Sequence, residues 1–490
     1  MNPPIRRLAL LMFISFALLV AAATYQQLIA GPDYRDDPRN LRVAAARLGR
    51  ERGTIITRDG AVVAESIQDP NDPTVFRRSY PYGKLYAHVV GYDSLLFGTT
   101  GLEASRSEDL TSERDATISG VLSALFGDDL RPKGLRLTID NNLQQIAAAA
   151  LGEQRGAVIA IDPATGAILA LVSTPSFDPN TLIGPGAASA GQALDDDAAT
   201  PLLNRATSQS YPPGSVFKII TLAAALQNGV ANPATIFDDP SALDLPGSTA
   251  VIRNFSRNRC TAGESVNLED AFIRSCNTIF AQLGIDVGPD ALIGQAEDFG
   301  FNQDVPFELQ TLASAIPPAN TFEFNDAALA QTAIGQRDVQ ATPLQMLMAV
   351  AAIANGGEIM VPYVVEEVFT AEADVVSRTE PRVWLEAVGR PTADTVAALM
   401  ERVVTSGTGR RAAVPNIRIA GKTGTAEVPE SSPHAWFLGF GPVAPNPGEN
   451  QIAIVVLVES GGDIGESATG GALAAPIAQQ VLAAFFGIPE

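Results

Sequence analysis

Ser215 and Lys218 stand three residues apart in Tyr211-Pro212-Pro213-Gly214-Ser215-Val216-Phe217-Lys218, ahead of the apolar run 219–225. The prolines stop any preceding element, Gly214 allows a tight turn, and the following run reads as helical. Ser215 is therefore expected at a helix N-terminus, where free N–H groups and the dipole favour a developing negative charge. Lys218 would share its face, at about 5–6 Å between Cβ atoms. A serine hydroxyl needs a base before it attacks a carbonyl, and a desolvated lysine can be that base. An N-capping serine beside an incidental lysine gives the same local pattern, so the pair needs support from elsewhere.

That support begins with scarcity. Lysine occurs only at Lys84, Lys133, Lys218 and Lys422, while arginine supplies the rest of the 33 Lys and Arg residues. Buried lysine can lose its proton and arginine effectively cannot, so the retained lysines draw attention. Lys422 leads Lys422-Thr423-Gly424-Thr425-Ala426-Glu427, in which hydroxyls and a glycine let a peptide lie close to the backbone. A terminal carboxylate on that peptide would meet the Lys422 ammonium. Between the two lysines falls Ser275-Cys276-Asn277, in a helical neighbourhood over 270–282.

The ordered set S-x-x-K, S-x-N and K-T-G resembles the signature of β-lactamases and penicillin-binding proteins. The P-P-G-S-x-F-K run, and K-T-G-T-A-E followed by Ala435-Trp436-Phe437, resemble the same family in context. Arg52-Gly53-Thr54-Ile55 with Arg58-Asp59-Gly60, and Gly101-Leu102-Glu103, resemble the non-catalytic N-terminal module of class B penicillin-binding proteins, those of actinobacteria in particular. Gly335-Gln336 and Thr342-Pro343-Leu344-Gln345 resemble a further stretch of their transpeptidase domain. The resemblance implies a serine D,D-transpeptidase that needs no cofactor and is acylated by β-lactams. Neutral Lys218 would take the proton of Ser215, which attacks the carbonyl between two terminal D-alanines of a peptidoglycan stem peptide. Ser275 would relay a proton, Asn277 would orient the substrate amide and Lys218, and the backbone N–H groups of Ser215 and Thr425 would hold the oxyanion. Lys422, Thr423 and Thr425 would bind the terminal carboxylate, and Gly424 belongs to the same substrate-binding stretch. Cys276 departs from the aspartate common at its position, which leaves one hydrogen-bond partner open.

The same residues suit a D,D-carboxypeptidase or β-lactamase that passes the acyl group to water, and a β-lactam sensor or division scaffold that does not turn over. An anchor and a module of about 100 residues argue against a free β-lactamase. That module is short for a second, glycan-polymerising domain, so a separate lipid-linked glycan polymerase and other division or wall-synthesis proteins are the partners the resemblance implies. With His88 and His434 as the sole histidines and no G-x-S-x-G elbow, a Ser-His-Asp hydrolase is poorly supported.

The elements that must position these groups are legible in outline. Arg6-Arg7 precede residues 8–23, which carry no charge, and the apolar stretch through residue 30 is about 23 residues, enough to span a bilayer. Positive charge ahead of the span places residues 1–7 in the cytoplasm, 8–30 in the membrane and the rest outside. A cleaved signal peptide, with Ala21-Ala22-Ala23 as its site, is the competing reading and exports the same portion. Residues 31–133 are expected to form the non-catalytic module and 134–490 the transpeptidase domain. The net charge of −21 disfavours nucleic acid as a partner. Cys260 and Cys276 form either a disulfide or two buried thiols, and no Cys/His spacing suggests zinc.

A hairpin is expected around Arg58-Asp59-Gly60, a strand over 135–139, and a helix over 141–151 capped by Asp140. Strands follow at 158–161, 167–172, 417–420, 436–440 and 452–458, with a closing helix over 471–486. The stretch 184–200 reads as a solvated loop. Together these give an α+β fold, an antiparallel sheet flanked by helices.

Overall fold

The computed structural model describes residues 3–26, 51–111 and 131–488. Helix Pro3–Thr24 begins ahead of the charge-free run and takes Arg6 and Arg7 into its first turns. None of its side chains is buried, and its 22 residues reach about 33 Å, long and apolar enough to cross a membrane. Residues 27–30 of the expected span lie outside the described residues.

The hairpin forms as expected, Ile55–Ile56 turning through residues 58–60 into Val62–Asp69. These strands belong to a six-stranded sheet ordered Val375–Arg378, Val365–Phe369, Gly134–Leu137, Ile55–Ile56, Val62–Asp69, Asp72–Ser79. A late excursion of the chain thus completes a sheet that its beginning starts. Beside that sheet, fully buried Glu103 accepts from Arg52 Nε at 2.8 Å, Arg78 Nε at 2.5 Å and the Tyr80 hydroxyl at 3.3 Å. The Arg52-Gly53 and Gly101-Leu102-Glu103 segments, far apart in sequence, therefore meet through one buried ion cluster.

The second sheet positions the chemistry. Its strands are β1 (Gly156–Ile161), β2 (Ile168–Thr174), β3 (Ala420–Val428), β4 (Ser431–Gly441) and β5 (Ile452–Val458). They run antiparallel in the order β3-β4-β5-β1-β2, which leaves β3 at an edge. Helices α1 (Asn141–Leu151), α5 (Pro343–Ala354) and α6 (Ala475–Phe485) pack on it, while α2 (Lys218–Gln227) and α3 (Leu268–Arg274) pack against α4 (Asn277–Val287) in a helical group beside it. Ile452, Ile454, Val456 and Val458 of β5 pack with α1 and α6, whereas Ala453, Val455 and Leu457 join the larger core that holds α2, α4 and α5. Burial on both faces explains why β5 is an unbroken apolar run rather than an alternating one. Asp140 caps α1 as its sequence position suggests, its carboxylate accepting from Leu143 N at 2.9 Å.

Two local expectations are corrected. Residues 184–200 hold helix Ala187–Asp195, whose buried Ala187 and Gly191 face inward with the Phe97 ring lying against Gly191. Alanine-rich segments become helical once one face is covered, and polar composition alone hid that. The strand expected over 417–420 starts instead at Ala420. Asn416 adopts a left-handed φ of 63°, and the turn it makes bridges Val414 to Ile417 before β3 begins.

Replacing Glu103 by alanine would take from buried Arg78 its carboxylate partner and leave Arg52 to the Asp93 carboxylate 3.7 Å away. The expected loss is about 3–5 kcal/mol of stability, read by calorimetry as a lower unfolding midpoint. Arg77→Ala removes a pair with Asp69 whose arginine is 59% exposed, and should cost less than about 1 kcal/mol.

Candidate active site

Ser215 sits in the 3-10 turn Gly214–Phe217 that runs directly into α2, so Lys218 opens the helix one turn beyond the hydroxyl. The turn is held from four sides. Gly214 N donates to Gly335 O at 2.8 Å, Tyr211 exchanges two backbone bonds with Ala341, and Trp436 Nε1 donates to Pro212 O at 3.1 Å. The Tyr211 hydroxyl donates to Glu459 Oε1 at 2.5 Å. That carboxylate, at the end of β5, also binds Arg205 Nε at 2.8 Å and Arg155 Nε at 3.0 Å. Arg205 is fully buried, so this ion cluster is an internal fastening for the segment that leads to Ser215.

Two glycines set how closely the elements approach. Gly335 has φ +73°, and a Cβ there would lie 2.1 Å from Gly214 O. On β3, a Cβ at Gly424 would lie 2.9 Å from Val216 Cγ1 and 3.1 Å from Pro213 O. The glycine of K-T-G therefore lets the edge strand press against the serine turn, a packing reason beside the substrate role suggested for it.

The S-x-N residues occupy a break between helices. α3 ends at Ser275, whose φ of 64° is left-handed, and α4 starts at Asn277. Cys276, between them, is joined to Cys260 in a disulfide with the Cα atoms 5.6 Å apart. The open question of bridge or free thiols is answered in favour of the bridge.

The three motifs converge on the break. Lys218 Nζ lies 2.8 Å from Ser275 O, 2.7 Å from Asn277 Oδ1 and 3.4 Å from Ser275 Oγ. Lys422 Nζ donates to Ser275 Oγ at 2.8 Å and to Thr423 O at 3.0 Å. Both lysines are fully buried, with the rings of Phe280 and Phe272 at 5.5 and 5.6 Å from their amines. Among the described residues neither amine has a carboxylate partner within salt-bridge distance. Burial, and after it the neighbouring Lys422, holds the Lys218 amine well below the usual lysine range. Burial brings Lys422 down to about 7.

Thr423 and Thr425 follow Lys422 along β3, paired with Phe437 and Ala435 of β4. Thr423 Oγ1 shares a 2.6 Å hydrogen bond with Thr408 Oγ1, a residue sequence reasoning missed. Its setting, Ser406-Gly407-Thr408-Gly409, announces a turn and nothing of the strand it touches. His434 is a structural residue of β4: its Nδ1 accepts from Ser460 N at 3.0 Å and its ring packs edge-on against Tyr211.

Residues 156–483 match the model of the penicillin binding protein transpeptidase domain, and residues 52–134 that of the penicillin binding protein A dimerisation domain. The chain belongs to the penicillin-binding protein transpeptidase family. It is 41% identical to the peptidoglycan D,D-transpeptidase PbpA of Mycolicibacterium smegmatis, over 99% of both chains. The PbpA of Mycobacterium tuberculosis is 40% identical over the same shares. The fold matches the solved ceftriaxone acyl-enzyme complex of M. tuberculosis penicillin-binding protein A with a TM-score of 0.81. That match is 38% identical and covers 90% of this chain and 99% of the other. Pseudomonas aeruginosa PBP2, solved with the compound WCK 5153, matches with a TM-score of 0.72 and 32% identity, over 89% of this chain and 96% of its own. The likeness to actinobacterial class B proteins read from the motifs therefore extends across the whole chain.

If Gly335 sets the position of the serine turn, Gly335→Ala must displace Gly214. The expected result is a stability loss of about 1–3 kcal/mol and slower labelling by a fluorescent penicillin. Gly294→Ala, in a helix with open space around its Cβ, should leave labelling unchanged and melt no lower.

Proposed function

We propose that the chain is a peptidoglycan D,D-transpeptidase in which Ser215 forms the acyl-enzyme and Lys218 is its base. The observation that carries this reading is the pair of buried amines sharing the Ser275 hydroxyl with, among the described residues, no carboxylate within salt-bridge distance. Two ammonium groups in one uncompensated pocket are costly, so one of them gives up its proton. Burial together with the neighbouring Lys422 holds Lys218 well below the usual lysine range, whereas burial brings Lys422 only to about 7, so Lys218 is the one that gives up its proton; its neutral amine keeps two N–H groups for Ser275 O and Asn277 Oδ1 and one free lone pair. Lys422 faces Thr423 O and Ser275 Oγ and suits the charged state that a carboxylate would meet.

On this reading the Lys218 lone pair takes the proton of Ser215 as Oγ bonds to the carbonyl carbon between two terminal D-alanines. No hydrogen bond between Ser215 Oγ and Lys218 is formed among the described residues, and bound substrate would draw that contact together. Backbone N–H groups of Ser215 and Thr425 hold the oxyanion. As the C–N bond breaks, Ser275 hands the leaving amine a proton and is resupplied from the lysines. An amine of a second stem peptide then attacks the ester, gives its proton to the base, and Ser215 recovers its hydrogen. Lys422, Thr423, Gly424 and Thr425 line the carboxylate end of the donor. A β-lactam enters the same first step and stops at the ester.

Residues 1–7 are cytoplasmic, 8–30 form the anchor, 31–133 the non-catalytic module and 134–490 the transpeptidase domain, which faces the outside. The Cys260–Cys276 disulfide supports an oxidising, exported setting. A lipid-linked glycan polymerase is the protein partner this division of labour calls for, because the module is too short to polymerise glycan itself.

Product analysis on polymerised glycan separates the outcomes. Cross-linked dimer supports transpeptidation, tetrapeptide supports a carboxypeptidase, and labelling without product supports a sensor or scaffold. Ser215→Ala and Lys218→Arg should both lose fluorescent penicillin, since arginine keeps charge but cannot act as the base.

The pH profile of acylation should rise as Lys218 loses its proton and fall again near pH 7 as Lys422 loses its own. Lys422→Met removes the positive neighbour that depresses Lys218, so the acid limb should move to higher pH and the alkaline limb should vanish. An unmoved acid limb would contradict the coupling.

A further inference from the structure

A helix leaves its first N–H groups without intrahelical partners, and a side-chain oxygen at the N-cap usually takes one of them. The N-cap of α4 is Cys276, which makes no such bond and whose sulfur is committed to Cys260. Among the free amides at this end are those of Asn277 and Thr278, the first of which carries the oxygen that faces Lys218. They are capped from outside. Asn254 Oδ1 accepts from Asn277 N at 2.8 Å and from Thr278 N at 3.2 Å. Asn254 comes just after strand Val251–Arg253, which pairs in a hairpin with Ala242–Asp244. It is 7% exposed, and its own Nδ2 donates to Asn258 O at 3.1 Å, which fixes which end of its amide faces α4.

The same segment orients the Asn277 side chain. Asn277 Nδ2 donates to Arg253 O at 3.0 Å, and this leaves Oδ1 pointing at Lys218 Nζ. A reversed amide would set its oxygen against the Arg253 carbonyl and its NH2 against the amine, losing both bonds. We infer that Asn254 is the positioning residue of the S-x-N turn: it supplies the cap that Cys276 cannot, and with the adjoining Arg253 carbonyl it holds Asn277 Oδ1 on Lys218. Asn254 touches no reacting atom in this scheme and acts only through Asn277. The inference rests on the reading of Lys218 as base for Ser215.

The two stand or fall separately in one set of measurements on the full chain in detergent, with benzylpenicillin as the probe. Mass mapping of the wild-type adduct tests the reading, and an adduct away from Ser215 overturns it and removes the ground for the positioning role. With the adduct on Ser215, Asn254→Ala should lower the limiting acylation rate about 10- to 100-fold while the apparent Kd stays within about twofold. Asn254→Asp keeps an acceptor at the helix N-terminus and should recover most of the rate. Its added negative charge favours the protonated amine, so the acid limb of its pH profile should move to higher pH. A wild-type limiting rate in Asn254→Ala, or an Asp variant no faster than the Ala variant, overturns the inference. Should Asn254→Ala fail to fold, Asn254→Asp decides alone, and an acid limb at the wild-type pH overturns the inference.

Discussion

Two amines held in one buried pocket, with no counter-charge among the described residues, are the constraint on which the rest depends. In water, Lys218 and Lys422 would both carry protons and neither could serve as a base near neutral pH. Full burial against Phe280 and Phe272 makes the doubly charged state expensive, and both amines lie within hydrogen-bonding distance of one hydroxyl, Ser275 Oγ. The pocket exists only because three segments distant in the chain are forced into contact. The helix after the serine turn brings Lys218, the edge strand brings Lys422, and the break between α3 and α4 brings Ser275 and Asn277.

Much of the surrounding structure can be understood as what makes that contact possible. Gly424 lets the edge strand reach the serine turn, and Gly335 lets its own loop reach the same turn from another side. Glu459 gathers Arg205, Arg155 and Tyr211 at the end of β5, and so fastens the segment preceding Ser215 to the most buried strand of the sheet. A cluster of this kind adds little net stability relative to apolar packing, but it accepts few alternative geometries. That property suits a site in which a displacement of one ångström separates a working base from an idle one.

How far the sequence discloses this depends on how local each cause is. Asp140 and its helix were legible because a cap and the turn it serves lie within four residues. Lys218 and Lys422 were legible because a chain that otherwise uses arginine retained lysine there, and because both fall in motifs whose chemistry needs a removable proton. The buried strands were legible as apolar runs. The start of β3 was misplaced because the turn at Asn416 depends on a left-handed residue that the apolar pattern does not reveal. Helix Ala187–Asp195 was missed because its covering group, Phe97, comes from the N-terminal portion. Thr408 and Asn254 were invisible for the same reason: each acts across a sequence gap on a residue that already had an assigned role.

Cys276, in the middle of the S-x-N break, illustrates how such a gap arises. An aspartate there could cap α4 from within its own turn. Cysteine cannot, and the capping oxygen comes instead from Asn254, while the Cys260 sulfur ties the same turn to the chain sixteen residues earlier. Asp239 in turn braces that tie, accepting from Cys260 N at 2.8 Å and from Thr261 N at 2.6 Å. Several remote interactions, all converging on the hairpin excursion before α3, stand where a single local cap would otherwise serve. The geometry at Lys218 is thereby coupled to the folding and oxidation state of a segment that contributes no reactive group. An N-cap residue whose side chain cannot accept a hydrogen bond thus points to a cap supplied from elsewhere, and the place to look for it is whichever polar side chain meets the free amides.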